Sequence, residues 1–276
     1  MNLGQFQKDG QFLMLALDHR ASFKKLINLE NPDSVSDEEV IELKKEIIKS
    51  IEDQFSALLI DETWGLEAYR EDHLSKPFLL PLEKSGYTDA AGERVTEIEH
   101  QASELVSLGA SGAKVLFYFN PGGATAVNQL ATAKKVVDDC RANNLPLFLE
   151  IVTYTSEGKD YTQDAETIYN SVKAFMDFGA VPDVFKLEYP ENLEGCKKIT
   201  ELLNERPWIL LTNPDTFPEF QNHLKNGIIA GASGFLAGRA IWKEICSLSG
   251  EEKERFLSET LPNRFREISE IAKGGE

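Results

Sequence analysis

Cysteine and histidine are scarce in this chain. Three cysteines (Cys140, Cys196 and Cys246) are scattered over 276 residues, too few and too far apart for a disulfide framework or a cysteine-based zinc site. They suit a reducing compartment. The four histidines (His19, His73, His100 and His223) fall into no spacing that would place two of them on one metal, so no dedicated metal site is expected. No apolar run approaches the roughly 18 residues of a membrane span. The N-terminus, MNLGQFQKDGQFLML, has no basic segment followed by an unbroken apolar core, as a secretory signal would. Basic residues are also short: 29 against 46 acidic ones, a formal net charge of -17. Nucleic acid demands a basic surface, and anionic membranes do too, so neither is an expected partner. A small phosphorylated molecule needs only one or two local cations and stays open. The expectation is a soluble, cytoplasmic protein. No linker or low-complexity segment interrupts the chain, so residues 1–276 are read as one domain.

What is present is an alternation. Eight short apolar runs recur at 12–17, 57–60, 78–80, 113–119, 146–152, 183–188, 208–212 and 234–237. Charged segments with helical spacing separate them. In 36–55, Ser36 and Glu39 form a capping box, and Val40, Leu43, Ile47, Ile51 and Phe55 make one apolar stripe. Segments 94–108, 124–143, 162–178, 192–205, 216–226 and 240–273 read as further helices, two of them closed by Gly109 and Gly179. Strand and helix in strict alternation mean parallel strands with crossover helices. Eight such units in about 250 residues predict an α/β fold, a (β/α)8 TIM barrel. A doubly wound sheet would carry a glycine-rich loop after its first strand, where this chain has Asp18-His19-Arg20.

In such a barrel, function gathers at the C-terminal ends of the strands, and strand side chains alternate in direction. If Phe185 and Leu187 face the helices, Lys186 points inward with Val184 and Glu188. If Val115, Phe117 and Phe119 face outward, Lys114 points inward with Leu116 and Tyr118. The same parity turns Glu150 inward beside Phe148 and leaves Asp18 inward at the end of the first run. A buried lysine is costly unless paired or used as an amine nucleophile. A second inward lysine would oppose the charged form of Lys186. Two lysines and two carboxylates in one cavity suit imine chemistry, in which an amine attacks a carbonyl and a carboxyl group shuttles protons. After the last run, Gly238 and Arg239 stand between strand and helix, a position fit for a phosphate, with Thr212 and Asn213 able to complete the site. His19 and Arg20 could take a second anion. NPGG at 120–123 lacks the Lys-Ser/Thr of a P-loop and reads as a turn. His73, His100 and His223 read as surface residues, and Trp64 and Trp242 as packing.

Seven motifs in order then resemble the class I tagatose 1,6-bisphosphate aldolase family: LALDHRASF (15–23), LLIDETWG (58–65), EKSGYT (83–88), AKVLFYFNP (113–121), PLFLEIVTY (146–154), DVFKLEYP (183–190) and GFLAGRAIW (234–242). The chain is similar as well to sulfofructosephosphate aldolases and to 2-deoxy-5-keto-gluconate 6-phosphate aldolase domains. The resemblance implies a barrel aldolase that uses no metal or other cofactor and cleaves a ketose phosphate, first D-tagatose 1,6-bisphosphate, into dihydroxyacetone phosphate and glyceraldehyde 3-phosphate. It makes Lys186 the Schiff-base residue, Glu150 the proton shuttle, Asp18 and Lys114 their assistants, and Arg239 and Arg20 the anion holders. A homo-oligomer is the family habit. The chain departs from the tagatose pattern at His19, usually Gln, at DETWG, usually DPEYG, and at Thr212-Asn213-Pro214-Asp215, usually a Ser-Ala-Gly turn. It is also shorter between the sixth and seventh runs. The alternatives are the two related aldolase substrates, a sugar-phosphate isomerase or epimerase with Glu150 as base, and a non-catalytic sugar-phosphate binder.

Overall fold

The structure, a computed structural model, describes residues 1–71, 75–90, 92–154, 162–212 and 215–275. Eight parallel strands close into a barrel: β1 (Phe12–Leu17), β2 (Ala57–Ile60), β3 (Phe78–Pro81), β6 (Gly112–Phe119), β7 (Leu147–Thr153), β8 (Val184–Leu187), β9 (Trp208–Leu211) and β10 (Gly234–Ala237). Each of the eight apolar runs is one of these strands. The ring order is β1-β10-β9-β8-β7-β6-β3-β2, so neighbours in sequence are neighbours in space and β10 closes on β1. Two short strands, β4 (Thr88–Ala90) and β5 (Glu93–Val95), form an antiparallel hairpin outside the barrel.

The crossover helices are α1 (Ala21–Ile27), α2 (Asp37–Ser50), α3 (Gly65–Glu71), α4 (Ala102–Ser107), α5 (Ala126–Ala142), α6 (Ala165–Phe178), α7 (Leu193–Leu203) and α8 (Phe217–Ala230), followed by α9 (Arg239–Trp242), α10 (Gly250–Arg255) and α11 (Leu261–Ala272). Ser36 caps α2 by accepting the Glu39 N–H at 3.1 Å. The helix ends at Ser50 rather than 55, because the chain must turn there to enter β2; Ile51 and Phe55 stay buried. The segment expected as one helix over 94–108 holds β5 and the short α4 instead. TDA and ERV are too polar to announce a hairpin by hydrophobicity, and the hairpin is held from outside its own sequence. The Arg94 guanidinium lies 4.7, 5.7 and 5.1 Å from the rings of Tyr87, Tyr118 and Tyr154, and Gln129 of α5 bonds the backbone of Thr96 and Arg94. The C-terminal helical stretch is broken into pieces, with Gly250 in the left-handed region at a φ of 54° and Pro262 in the first turn of α11.

Two apolar layers follow from strand alternation. Leu13, Leu15, Leu17, Val115, Phe117, Phe119, Leu149, Phe185 and Leu187 pack outward against the helices. Phe12, Met14, Leu79, Phe148, Val184 and Ile209 fill the barrel interior. Phe6, from a 3-10 turn at Gly4–Phe6, plugs the N-terminal end, its ring edge-on to Phe148 at 5.3 Å. Burying side chains of this size stabilises the fold by roughly 1.5–3 kcal/mol each. With the lower end packed shut, polar side chains of the inward parity have one place to go, the C-terminal mouth. The three cysteine thiols are free and buried, and burial pushes each up to about 12. Among the described residues, no helix is long and apolar enough to cross a membrane.

Candidate active site

A cavity of about 320 Å³ opens at the C-terminal mouth, with Asp18, Glu83, Lys114, Glu150, Lys186 and Arg239 in its wall. The strand register builds its centre. Glu150 of β7 pairs across to Lys186 of β8, and its other neighbour is Leu116 of β6, one inward step past Lys114. Lys186 Nζ donates to Glu150 Oε2 at 2.9 Å. The same carboxylate oxygen lies 3.3 Å from Lys114 Nζ. The two lysines are therefore bridged by a shared anion rather than facing each other bare.

Lys114 has two further carboxylates. It donates to Glu83 Oε1 at 2.5 Å and to Asp18 Oδ2 at 3.2 Å. Burial opposes its charge, but Glu83, Asp18 and Glu150 together outweigh burial and hold Lys114 well above the usual lysine range. Burial likewise opposes the charge of Asp18, and the cations around it, Lys114 first, hold its carboxyl well below the usual carboxylate range. Lys114 is thus a fixed ammonium and Asp18 a fixed carboxylate.

Of the residues expected to bind phosphate or anion, His19, Arg20, Thr212, Gly238 and Arg239 line the same cavity. Gly238 N donates to Thr212 Oγ1 at 3.1 Å, so Thr212 shapes the turn and that amide is engaged. Arg239 lines the wall at the start of α9. Arg20 lies between Glu62 Oε1 and Glu99 Oε2, each at 3.3 Å, and donates to the Glu83 carbonyl at 2.9 Å. His19 reaches the cavity with its ring edge on Trp242 at 5.1 Å. Burial pushes it down to about 3, so it offers a neutral ring rather than a second charge beside Arg20. Asn213 and His73 lie outside the described residues. The NPGG segment is a turn: the Glu93 carboxylate accepts the Ala124 and Thr125 amides at 2.5 and 2.7 Å, where a phosphate loop would hold its ligand.

Three groups escaped the sequence reading. Glu83 continues the inward parity of Leu79 and Pro81 two residues past β3, and extending the strand by one step would have found it. Lys44 and Asp61 form a fully buried ion pair beneath the site. Lys44 Nζ also donates to the carbonyls of Leu17 and His19, both at 3.0 Å, and so grips the backbone on either side of Asp18. No pattern along the chain couples α2 to the end of β2. Glu188, expected inward beside Lys186, is instead turned to Thr153, whose hydroxyl donates to it at 2.6 Å; β8 ends at Leu187, and the parity ends with it. Among the described residues one group could offer metal ligands, Glu62, Glu99 and His100. The charge of Arg20 already lies between its two carboxylates.

Comparison with known proteins places the chain in a family. The model of the DeoC/LacD family aldolases matches residues 12–244. Tagatose 1,6-diphosphate aldolase 2 of Streptococcus pyogenes is 26% identical, over 96% of this chain and 90% of that one. Tagatose 1,6-diphosphate aldolase of Staphylococcus haemolyticus is 26% identical, over 96% and 91%. Among solved structures, an archaeal fructose 1,6-bisphosphate aldolase superposes with a TM-score of 0.70 at 20% identity, over 98% of both chains. The matched span runs from the first strand to beyond Arg239 and takes in the whole cavity: the chain belongs to the DeoC/LacD family of aldolases.

Proposed function

We propose that this aldolase works through an imine on Lys186 and cleaves a phosphorylated ketose, D-tagatose 1,6-bisphosphate first. The observation that carries the choice of nucleophile is the unequal company of the two lysines. Lys114 is surrounded by three carboxylates and is held as an ammonium, without a lone pair. Lys186 shares one carboxylate, Glu150, at 2.9 Å, close enough to accept its proton. The neutral Lys186 amine attacks the C2 carbonyl. Glu150 returns the proton to the carbinolamine oxygen, and water leaves. The resulting iminium is an electron sink beside C3. Glu150 then takes the C4 hydroxyl proton, the C3–C4 bond breaks, and glyceraldehyde 3-phosphate departs. The enamine left behind is protonated at C3, and water hydrolyses the iminium to dihydroxyacetone phosphate and free Lys186. The Lys114 ammonium and the Asp18 carboxylate hold substrate hydroxyls, and Arg239 holds a phosphate. The tagatose 1,6-diphosphate aldolases of Streptococcus pyogenes and Staphylococcus haemolyticus support tagatose 1,6-bisphosphate as the first substrate to test.

The test is borohydride reduction in the presence of dihydroxyacetone phosphate, followed by peptide mass mapping. The expected adduct is on Lys186. An adduct on Lys114, or none, overturns the mechanism. A kcat/KM panel of tagatose 1,6-bisphosphate, fructose 1,6-bisphosphate, 6-deoxy-6-sulfofructose 1-phosphate and 2-deoxy-5-keto-gluconate 6-phosphate tests the substrate; a clear preference for any but the first overturns that choice.

A further inference from the structure

Glu83 carries an unexplained oxygen. The residue is buried, at 5% exposure, and lines the cavity. Oε1 is committed to Lys114 at 2.5 Å. Oε2 is buried and has no hydrogen-bond partner among the described residues. A buried carboxylate oxygen without a donor is expensive, and it needs a reason. The backbone that carries it is also held. Arg20 donates to the Glu83 carbonyl at 2.9 Å, Glu83 forms a bridge with Ile98, and the next amide, Lys84 N, donates to the Glu97 carbonyl at 2.9 Å. Such fixing preserves an aim that a loose side chain would lose by collapsing onto a neighbour.

The order of groups across the cavity says what that oxygen meets. The contacts run from Lys186 to Glu150, from Glu150 to Lys114, and from Lys114 to Glu83. Under the imine reading, on which this step rests, C2 is tethered at Lys186 and the C4 hydroxyl lies at Glu150. The carbons beyond C4 continue toward Lys114 and Glu83. We propose that Glu83 Oε2 accepts the hydroxyl next to the aldehyde carbon of the departing fragment, and so selects 2-hydroxyaldehydes. Burial raises the Glu83 carboxyl and the Lys114 ammonium works against that rise; paired with the ammonium as a carboxylate, its free oxygen takes a hydroxyl, repels a phosphate oxygen, and is left unpaired by an aldehyde that lacks the hydroxyl.

The experiment is run in the condensation direction with dihydroxyacetone phosphate. It compares kcat/KM for D-glyceraldehyde 3-phosphate with that for 3-phosphooxypropanal, which lacks only the 2-hydroxyl. The wild-type enzyme should favour the hydroxylated aldehyde roughly 10- to 100-fold, as expected for one hydrogen bond to a charged group. In Glu83→Ala and Glu83→Gln the ratio should shrink toward one, mainly through loss on the hydroxylated aldehyde. A wild-type ratio within about twofold of one overturns the proposal whether or not the variants fold. Equal losses on both aldehydes in a variant, with the ratio preserved, mean that Glu83 only positions Lys114, and overturn it too. Borohydride trapping of dihydroxyacetone phosphate on the same wild-type sample separates the two ideas. An adduct on Lys186 with no aldehyde discrimination sinks the Glu83 role alone; no adduct removes the imine reading and this step with it.

Discussion

The ion pair beneath the site allows a quantitative test. Lys44 and Asp61 both have fully buried side chains. In Lys44→Met the stem volume stays, the ammonium goes, and three acceptors lose a donor: the Asp61 carboxylate and the carbonyls of Leu17 and His19. Removing one partner of a buried pair leaves an uncompensated charge and costs about 3–5 kcal/mol. That is a large part of a typical stability of about 5–15 kcal/mol. Asp61→Asn removes the stranded charge yet keeps an Oδ1 acceptor for the Trp64 amide, which it holds at 2.8 Å. The double variant should therefore be no less stable than Lys44→Met, and the double-mutant cycle should show a coupling of at least about 2 kcal/mol. Urea denaturation followed by two probes measures all four proteins and checks that unfolding is two-state. A loss below about 1 kcal/mol in the single variant, or simple additivity in the double, would refute the argument that the pair is tightly coupled. Because the two carbonyls flank Asp18, Lys44→Met should also lower kcat in protein that remains folded.

Three further outcomes are expected. Glu150→Gln should lower kcat by roughly 10²- to 10⁴-fold, as loss of a general acid–base does; steady-state kinetics within tenfold of wild type would exclude Glu150 as the shuttle. Burial pushes the Glu188 carboxyl from 4.5 up to about 8, with the Thr153 donors opposing. The native group thus keeps its proton where the unfolded one has lost it, and its stabilising contribution fades as pH rises from 4.5 to about 8. Urea midpoints across that window should fall less steeply in Glu188→Gln than in wild type, and parallel slopes would contradict the assignment. Gly234 opens the closing strand with a φ of 129°, and a Cβ there would stand 2.2 Å from the Phe12 carbonyl oxygen. Gly234→Ala should therefore destabilise by about 3 kcal/mol or more, or prevent folding; an unchanged thermal midpoint would refute the steric account.

How legible the site was depended on how local its causes are. Lys114, Glu150 and Lys186 could be placed in one cavity from the chain because each sits inside an apolar strand, where alternation ties its direction to that of its neighbours. Glu188 broke the same rule one residue past the end of β8. Glu83 obeyed it two residues past β3, but a strand of only four residues gave too short a pattern to extend with assurance. The helix expected over 94–108 took in the end of β5 because the anchors of that strand, Gln129 and the tyrosines around Arg94, come from other elements.

The amino-acid sequence by itself determined the alternation, the barrel and the inward parity of the two central lysines, since strand period, helix stripe and caps act over a few residues. Only the tertiary structure decided which lysine is held as a fixed ammonium, that Glu83 faces the cavity with one oxygen uncommitted, and that Lys44 reaches from α2 to grip the backbone around Asp18. Charge pairing and desolvation act through space between residues far apart in the chain, and their outcome exists only once the barrel has closed.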